Sequence, residues 1–127
     1  HDAERVRRRL GRFAVEPASP RLRAQALSGG NQQKLVLGRA LDRQVRALVV
    51  AQPTRGVDVG TARRIQSALA EAAAAGAAVL CVSADLSELA ALCHRIVVVR
   101  RGRIVCELPP DASEDAFGRA MLGVEAA

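Results

Sequence analysis

The chain is 127 residues long, half hydrophobic and a quarter charged, a composition of globular rather than disordered chains that allows one domain with a real core. Its 19 basic residues, all arginine except Lys34, outnumber 13 acidic ones and leave a net charge of +6, a balance that fits an acidic partner, a lipid surface or a nucleic acid alike. Phe13 and Phe117 are the only aromatic residues, so a base-stacking platform for single strands is excluded.

Residues 2–13 predict a helix with Val6, Leu10 and Phe13 on one face and Arg7, Arg8, Arg9 and Arg12 elsewhere. The stretch VEPASPRLRAQA, with two prolines, predicts a loop. Ser28 is a natural N-cap, and a helix is expected over 30–44 with Val36, Leu37, Ala40 and Leu41 toward the core. The apolar, β-branched run 45–50, ended by Pro53, predicts a buried strand.

Asp58 then opens an alanine-rich helix with Ile65, Leu69, Ala72 and Ala73 on its apolar face, stopping at Gly76. Residues 77–82 predict a second buried strand and 86–93 a short helix. A hairpin is expected from 95–100 and 103–108 around Arg101 and Gly102, and a terminal helix over 113–122. This alternation is that of an α/β protein with at least one parallel strand pair.

Cys81, Cys93 and Cys106 are odd in number and too widely spaced for a metal knuckle, and read as reduced thiols packed as small hydrophobes. The opening HDAERVRRRLG lacks the apolar middle of a secretory signal, and no apolar run reaches the ~18 residues that span a bilayer, so the expected location is the cytosol.

Two stretches carry chemistry. In LSGGNQQK, residues 27–34, the paired glycines let backbone N–H groups approach a phosphate closely. The Ser28 hydroxyl adds a donor, and the start of a helix contributes roughly half a positive charge. The second stretch, LVVAQPTRGVDVG at 48–60, follows at a fixed distance. A phosphate loop needs Gly-Lys-Ser/Thr after a strand, and Lys34 lies between Gln33 and Leu35, so no such loop is present in this sequence.

Together these stretches resemble the nucleotide-binding cassette of ABC transporters. LSGG resembles the family's signature, Leu48 to Gln52 the end of its Walker B strand, and PTRGVDVG its D-loop region. VSADLSELAALCHRIVVVRRGRIV resembles the switch region and the hairpin after it. The forms SGGNQQK and PTRGVDVG are most similar to the second cassette of ATPases that drive bacterial simple-sugar and nucleoside importers.

The resemblance implies a partial P-loop NTPase core with mainly parallel strands, a C-terminal β-hairpin and flanking helices. Residues 1–44 would end the helical subdomain and carry the signature, 45–94 would form the Walker B, D-loop and switch core, and 95–127 the hairpin and last helix. The family's phosphate loop precedes the signature, so the chain is expected to be the later part of a longer polypeptide.

In the family two cassettes face each other head to tail, and the signature of one closes over an ATP held by the other. By resemblance Ser28, Gly29 and Gly30 would contact the γ-phosphate in trans, Asn31 would lie near the ribose, and Asp58 would approach the partner's site while also capping its own helix.

The cis positions have changed. Ala51 stands where the family has the aspartate that holds Mg²⁺. Gln52 stands where it has the general-base glutamate, and Ala84 where it has the switch histidine. Loss of a general base alone costs about 10² to 10⁴ in rate, so this chain alone is expected to be inactive and to bind neither ATP nor Mg²⁺ tightly. By resemblance, the Ala-Gln form leans toward importers of nucleosides over those of sugars.

The expected partners are a first cassette in the same or another polypeptide, transmembrane permease subunits and, indirectly, an extracytoplasmic binding protein, with the protein peripheral on the inner face of the membrane. A missing neighbouring strand would leave an open apolar edge that invites self-association. Two other readings use the same residues: a soluble ABC-type ATPase acting on nucleic acid, which would be expected to keep the Walker B acids, and a non-catalytic dimerisation or docking module. Arg55, His94 and the run Arg100, Arg101, Arg103 are expected on solvated surfaces, and Arg7, Arg8 and Arg9 either on a solvated helix face or, by resemblance, on the subdomain that faces the membrane subunits.

Overall fold

The computed structural model describes residues 2–41 and 45–123. In chain order the elements are α1 (Asp2–Arg12), a 3₁₀ turn (Ala24–Ala26), α2 (Gly29–Leu41), β1 (Ala47–Ala51), α3 (Val59–Ala74), β2 (Ala78–Val82), α4 (Leu86–Leu92), β3 (Ile96–Arg100), β4 (Arg103–Leu108) and α5 (Glu114–Leu122). Two compact units result, His1–Val82 and Ser83–Ala127.

In the first unit β1 and β2 pair in parallel, with Leu48 opposite Val79 and Val50 opposite Cys81. Leu48 and Val50 are buried, while Val49, Leu80 and Val82 on the opposite face are exposed, Val49 by 70%. The strands are therefore covered on one face only, which corrects the expectation of fully buried strands. Among the described residues β1 and β2 pair only with each other, so the outer edge of each is open.

The core of this unit joins Leu10 and Phe13 from the end of α1, Val15 and Leu27 from the two ends of the following loop, and Ala68 from α3. Ile65 and Leu69 on α3 are each only 1% exposed, as the helical period predicts. Ala72 and Ala73 are half-buried. On α2, Leu37 is buried but Val36 is 69% exposed, so the predicted apolar stripe is narrower than the sequence pattern implies.

Chain reversals follow local chemistry. After α1, Ala14 adopts φ 49°, Val15 N–H donates to Leu10 O at 2.9 Å and Ala14 N–H to Gly11 O at 3.1 Å, the paired bonds of a Schellman end. At the end of α3, Gly76 at φ 95° makes the same pattern, with Ala77 N–H reaching Ala72 O at 3.1 Å, where a side chain would be strained. The predicted helix end at residues 42–44 lies outside the described residues.

In the second unit β3 and β4 form the predicted hairpin, antiparallel, turning at Arg101 and Gly102, both of positive φ. Ile96 and Val98 on β3 and Phe117 on α5 are buried. Asp85 caps α4 and Ser113 caps α5, by accepting from backbone N–H groups of the first turn. The three cysteines are free thiols, each half-buried.

Candidate functional site

The site lies in the first unit, where the start of α2 meets the loop after β1. Val15 and Leu27 anchor the two ends of the intervening loop in the core, and this delivers Ser28 to the surface at the first turn of α2. Ser28 and Gly29 are exposed, and Gly30 is half-buried. A Cβ placed on Gly29 would meet nothing within 4 Å, so the start of α2 opens on free space. The first backbone N–H groups of a helix have no partner within it, and with the helix dipole they favour an anion there.

The Ser28 hydroxyl accepts from Asn31 Nδ2 at 3.1 Å. Asn31 also exchanges two bonds with the backbone of Glu16, accepting its N–H at 3.1 Å and donating to its carbonyl at 2.7 Å. Asn31 therefore clips the preceding loop to α2, a task that LSGGNQQK alone does not disclose.

At the other side of the site β1 ends with the exposed Ala51, and Gln52 turns the chain with φ 52°, a left-handed conformation few non-glycine residues adopt. Gln52 N–H donates to Val82 O at 2.7 Å, and Arg55 N–H to Gln52 O at 3.2 Å. The side chain of Gln33 donates from α2 to both Gln52 O at 3.2 Å and Pro53 O at 2.7 Å. A Cβ built on Gly30 would lie 3.6 Å from Gly56 O, so α2 and the loop approach closely without collision.

Asp58 ends that loop. Its carboxylate accepts from Thr61 N–H at 2.9 Å and from the Thr61 hydroxyl at 2.7 Å, capping α3. The Thr61 hydroxyl, its N–H and, more weakly, the Lys34 ammonium hold the Asp58 carboxyl below the usual carboxylate range. Lys34, whose side chain is 14% exposed, donates to Ala14 O at 3.1 Å and stands 4.0 Å from Asp58 Oδ2.

The start of α2 suits a phosphate, but the end of β1 does not suit a magnesium ion. A divalent cation of that kind takes carboxylate and other hard oxygen ligands, and Ala51 supplies only a methyl group. Gln52 has an amide that can position a water but cannot accept its proton at neutral pH. Ala84 lies in the second unit, exposed, just before the Asp85 cap of α4.

The structure thus brings Ser28, Gly29, Gly30 and Asn31 into one turn and sets Gln52 and Asp58 in the adjoining loop. The sequence reading missed Gln33 and the structural part of Lys34. A signal was present: Gln33 shares a helical face with Gly30 and the buried Leu37, a polar residue on a covered stripe that needs a partner.

No family model matches the chain. It is 40% identical over 121 residues to the guanosine import ATP-binding protein NupO of Bacillus subtilis, covering 94% of this chain and 24% of that protein. It is 38% identical over 111 residues to the ribose import ATP-binding protein RbsA 1 of Burkholderia thailandensis, covering 87% of this chain and 22% of that protein. It is 39% identical over 123 residues to the arabinose import ATP-binding protein AraG of Rhizobium etli, covering 95% and 25%.

Among solved structures, an ATP-binding subunit of an ABC transporter superposes with a TM-score of 0.77 at 22% identity, over 91% of this chain and 48% of that one. A dimeric bacterial ABC transporter cassette superposes with a TM-score of 0.73 at 25% identity, over 87% and 47%. These likenesses define the class: the chain is part of an ABC-type ATP-binding cassette. Within that class its homologues are ribose, guanosine and arabinose import ATP-binding proteins, and it spans between a fifth and a quarter of the length of the curated relatives named here.

Proposed function

We propose that the chain works as part of the ATP-binding subunit of an importer for nucleosides or simple sugars, and that it offers the start of α2 to an ATP bound by a partner cassette. The observation that carries this reading is the contrast within one site: an open, glycine-lined helix start beside a strand end without a carboxylate. Ser28, Gly29 and Gly30 would face the triphosphate, with Asp58 nearby at the interface. The fixed backbone donors would act where negative charge grows during phosphoryl transfer.

In the same reading, the chain's own nucleotide position is catalytically silent. Ala51 offers magnesium no ligand, Gln52 cannot serve as base, and Ala84 leaves the switch role unfilled. ATP and Mg²⁺ would be held by the partner cassette, and neither would bind this chain tightly. The names of the relatives support import of a sugar or nucleoside. Permease subunits and, indirectly, an extracytoplasmic binding protein would be the partners in this reading.

Such a subunit would sit on the inner face of the membrane; no helix among the described residues is long and apolar enough to cross one. The open edges of β1 and β2 would allow self-association where no further strand covers them. The divergence at Ala51 and Gln52 argues against a nucleic-acid ATPase, for which retained acids would be expected.

Phosphate release from ATP and Mg²⁺ tests the reading directly. The chain alone should give no turnover above background, whereas the assembled ATPase should turn over and lose that activity with Ser28→Arg. Sustained turnover by the chain alone, or indifference of the assembly to Ser28→Arg, would refute it.

A further inference from the structure

The bonds of Gln33 raise a question that the signature chemistry leaves open: how the start of α2 and the Asp58 loop keep a fixed relation. One helical turn holds both. A side-chain amide carries two N–H donors, and those of Gln33 go to two successive carbonyls, Gln52 O at 3.2 Å and Pro53 O at 2.7 Å. The next residue, Lys34, reaches Ala14 O at 3.1 Å and comes within 4.0 Å of Asp58 Oδ2. The glycine turn therefore connects at once to the loop before it, to the end of β1 and to the cap of α3.

The loop being held is not rigid by its own composition. It contains Gly56 at φ 74°, and its internal closures include Arg55 N–H to Gln52 O at 3.2 Å and Val57 N–H to Thr54 O at a long 3.4 Å. Gln52 itself sits in a left-handed conformation that the chain does not favour. Two additional donors on consecutive carbonyls are what fix such a turn.

We propose that Gln33 is a positioning residue, whose amide locks the Ser28–Gly30 helix start and the loop ending at Asp58 into one body presented to the partner's nucleotide as a unit. Lys34 braces the same body from its other side. This rests on the reading that the glycine turn faces a partner's triphosphate, and the role of Gln33 is to set its geometry without touching the phosphate.

The test uses Gln33→Met, which keeps the length and removes both donors, and Gln33→Glu, which places a carboxylate against two carbonyls. In the full ATPase that carries this chain, each variant should lower kcat by about tenfold to a hundredfold through misplacement of the donors, with KM for ATP within about twofold of the parent. Hydrogen exchange by mass spectrometry should show faster exchange confined to segments 28–33 and 52–58, rising together, with α1 and the body of α3 unchanged.

Unchanged exchange in both segments, a rise spread evenly through the first unit, or a raised KM with kcat constant would each overturn the proposal. Ser28→Arg separates the mechanical link from the trans-nucleotide role. If Ser28→Arg leaves turnover intact while Gln33→Met loosens the two segments together, the trans-nucleotide reading fails and the mechanical link stands. If Ser28→Arg abolishes turnover and Gln33→Met changes neither kcat nor exchange, the link fails alone.

Discussion

The start of α2 and the end of β1 are joined through one glutamine side chain, yet they are made of different material. The helix start draws its chemistry from the backbone: unpaired N–H groups, glycines without Cβ and the axial dipole. The strand end would need side-chain carboxylates to hold a metal and accept a proton, and it carries Ala51 and Gln52 instead. A backbone-made site persists as long as the helix folds and stays open, whereas a side-chain-made site disappears with two substitutions.

The sharpest test of this contrast is charge at the open end. Gly29→Asp adds a carboxylate where nothing obstructs it, so the fold should survive while turnover of the assembled ATPase falls about a hundredfold or more, as when preorganised anion donors are lost. Steady-state phosphate release beside a thermal melt separates the two effects.

At the opposite end, Ala51→Asp with Gln52→Glu should restore a magnesium ligand and a base. If, as proposed, Ala84 leaves the switch role unfilled, turnover should rise less than about tenfold in an assembly whose other site is silenced. A full return of activity would show that the strand end lacked only its two acids.

The support beneath the helix start can be broken separately. A Cβ on Gly38 would lie 2.6 Å from Phe13 Cδ2, and Phe13 is buried, so Gly38→Ala should cost about 1–3 kcal/mol in denaturant unfolding through overpacking.

The Asp58 cap predicts a smaller, pH-dependent change. Its carboxyl is held low by Thr61, so its stabilisation is complete above the unfolded value of about 4 and is lost as pH falls through the lower folded value. Asp58→Asn should flatten the acid limb of a stability–pH curve, its loss being largest at neutral pH and smallest in acid, where the Asp58 carboxyl is itself protonated. Asp85, held low by the Ser87 hydroxyl and then by the Glu88 N–H, adds a second contribution of the same sign. The smallest effect belongs to exposed His94, where His94→Ala should shift stability by no more than about 0.5 kcal/mol.

Much of the fold is legible in the residue pattern. Ile65 and Leu69 recur at helical spacing and are buried, Gly76 ends α3 as a left-handed cap, and Arg101–Gly102 turns the hairpin. Val36 was misread because an apolar residue beside Leu37 satisfies the same sequence pattern whether it faces the core or solvent. The strands were misread as fully buried because an all-apolar run cannot state which of its faces has a cover.

The serine followed by two glycines, the absence of carboxylates at 51 and 52 and the order of helices and strands can be read from the residues alone, because these depend on residue identity and on contacts a few positions apart. That Asn31 clips the loop at Glu16, that Gln33 holds two carbonyls and that Lys34 spans Ala14 and Asp58 emerges only in the folded chain. Those contacts join groups 15 to 24 positions apart at distances of 2.7 to 4.0 Å, and no local preference specifies such a meeting until the core has fixed both sides.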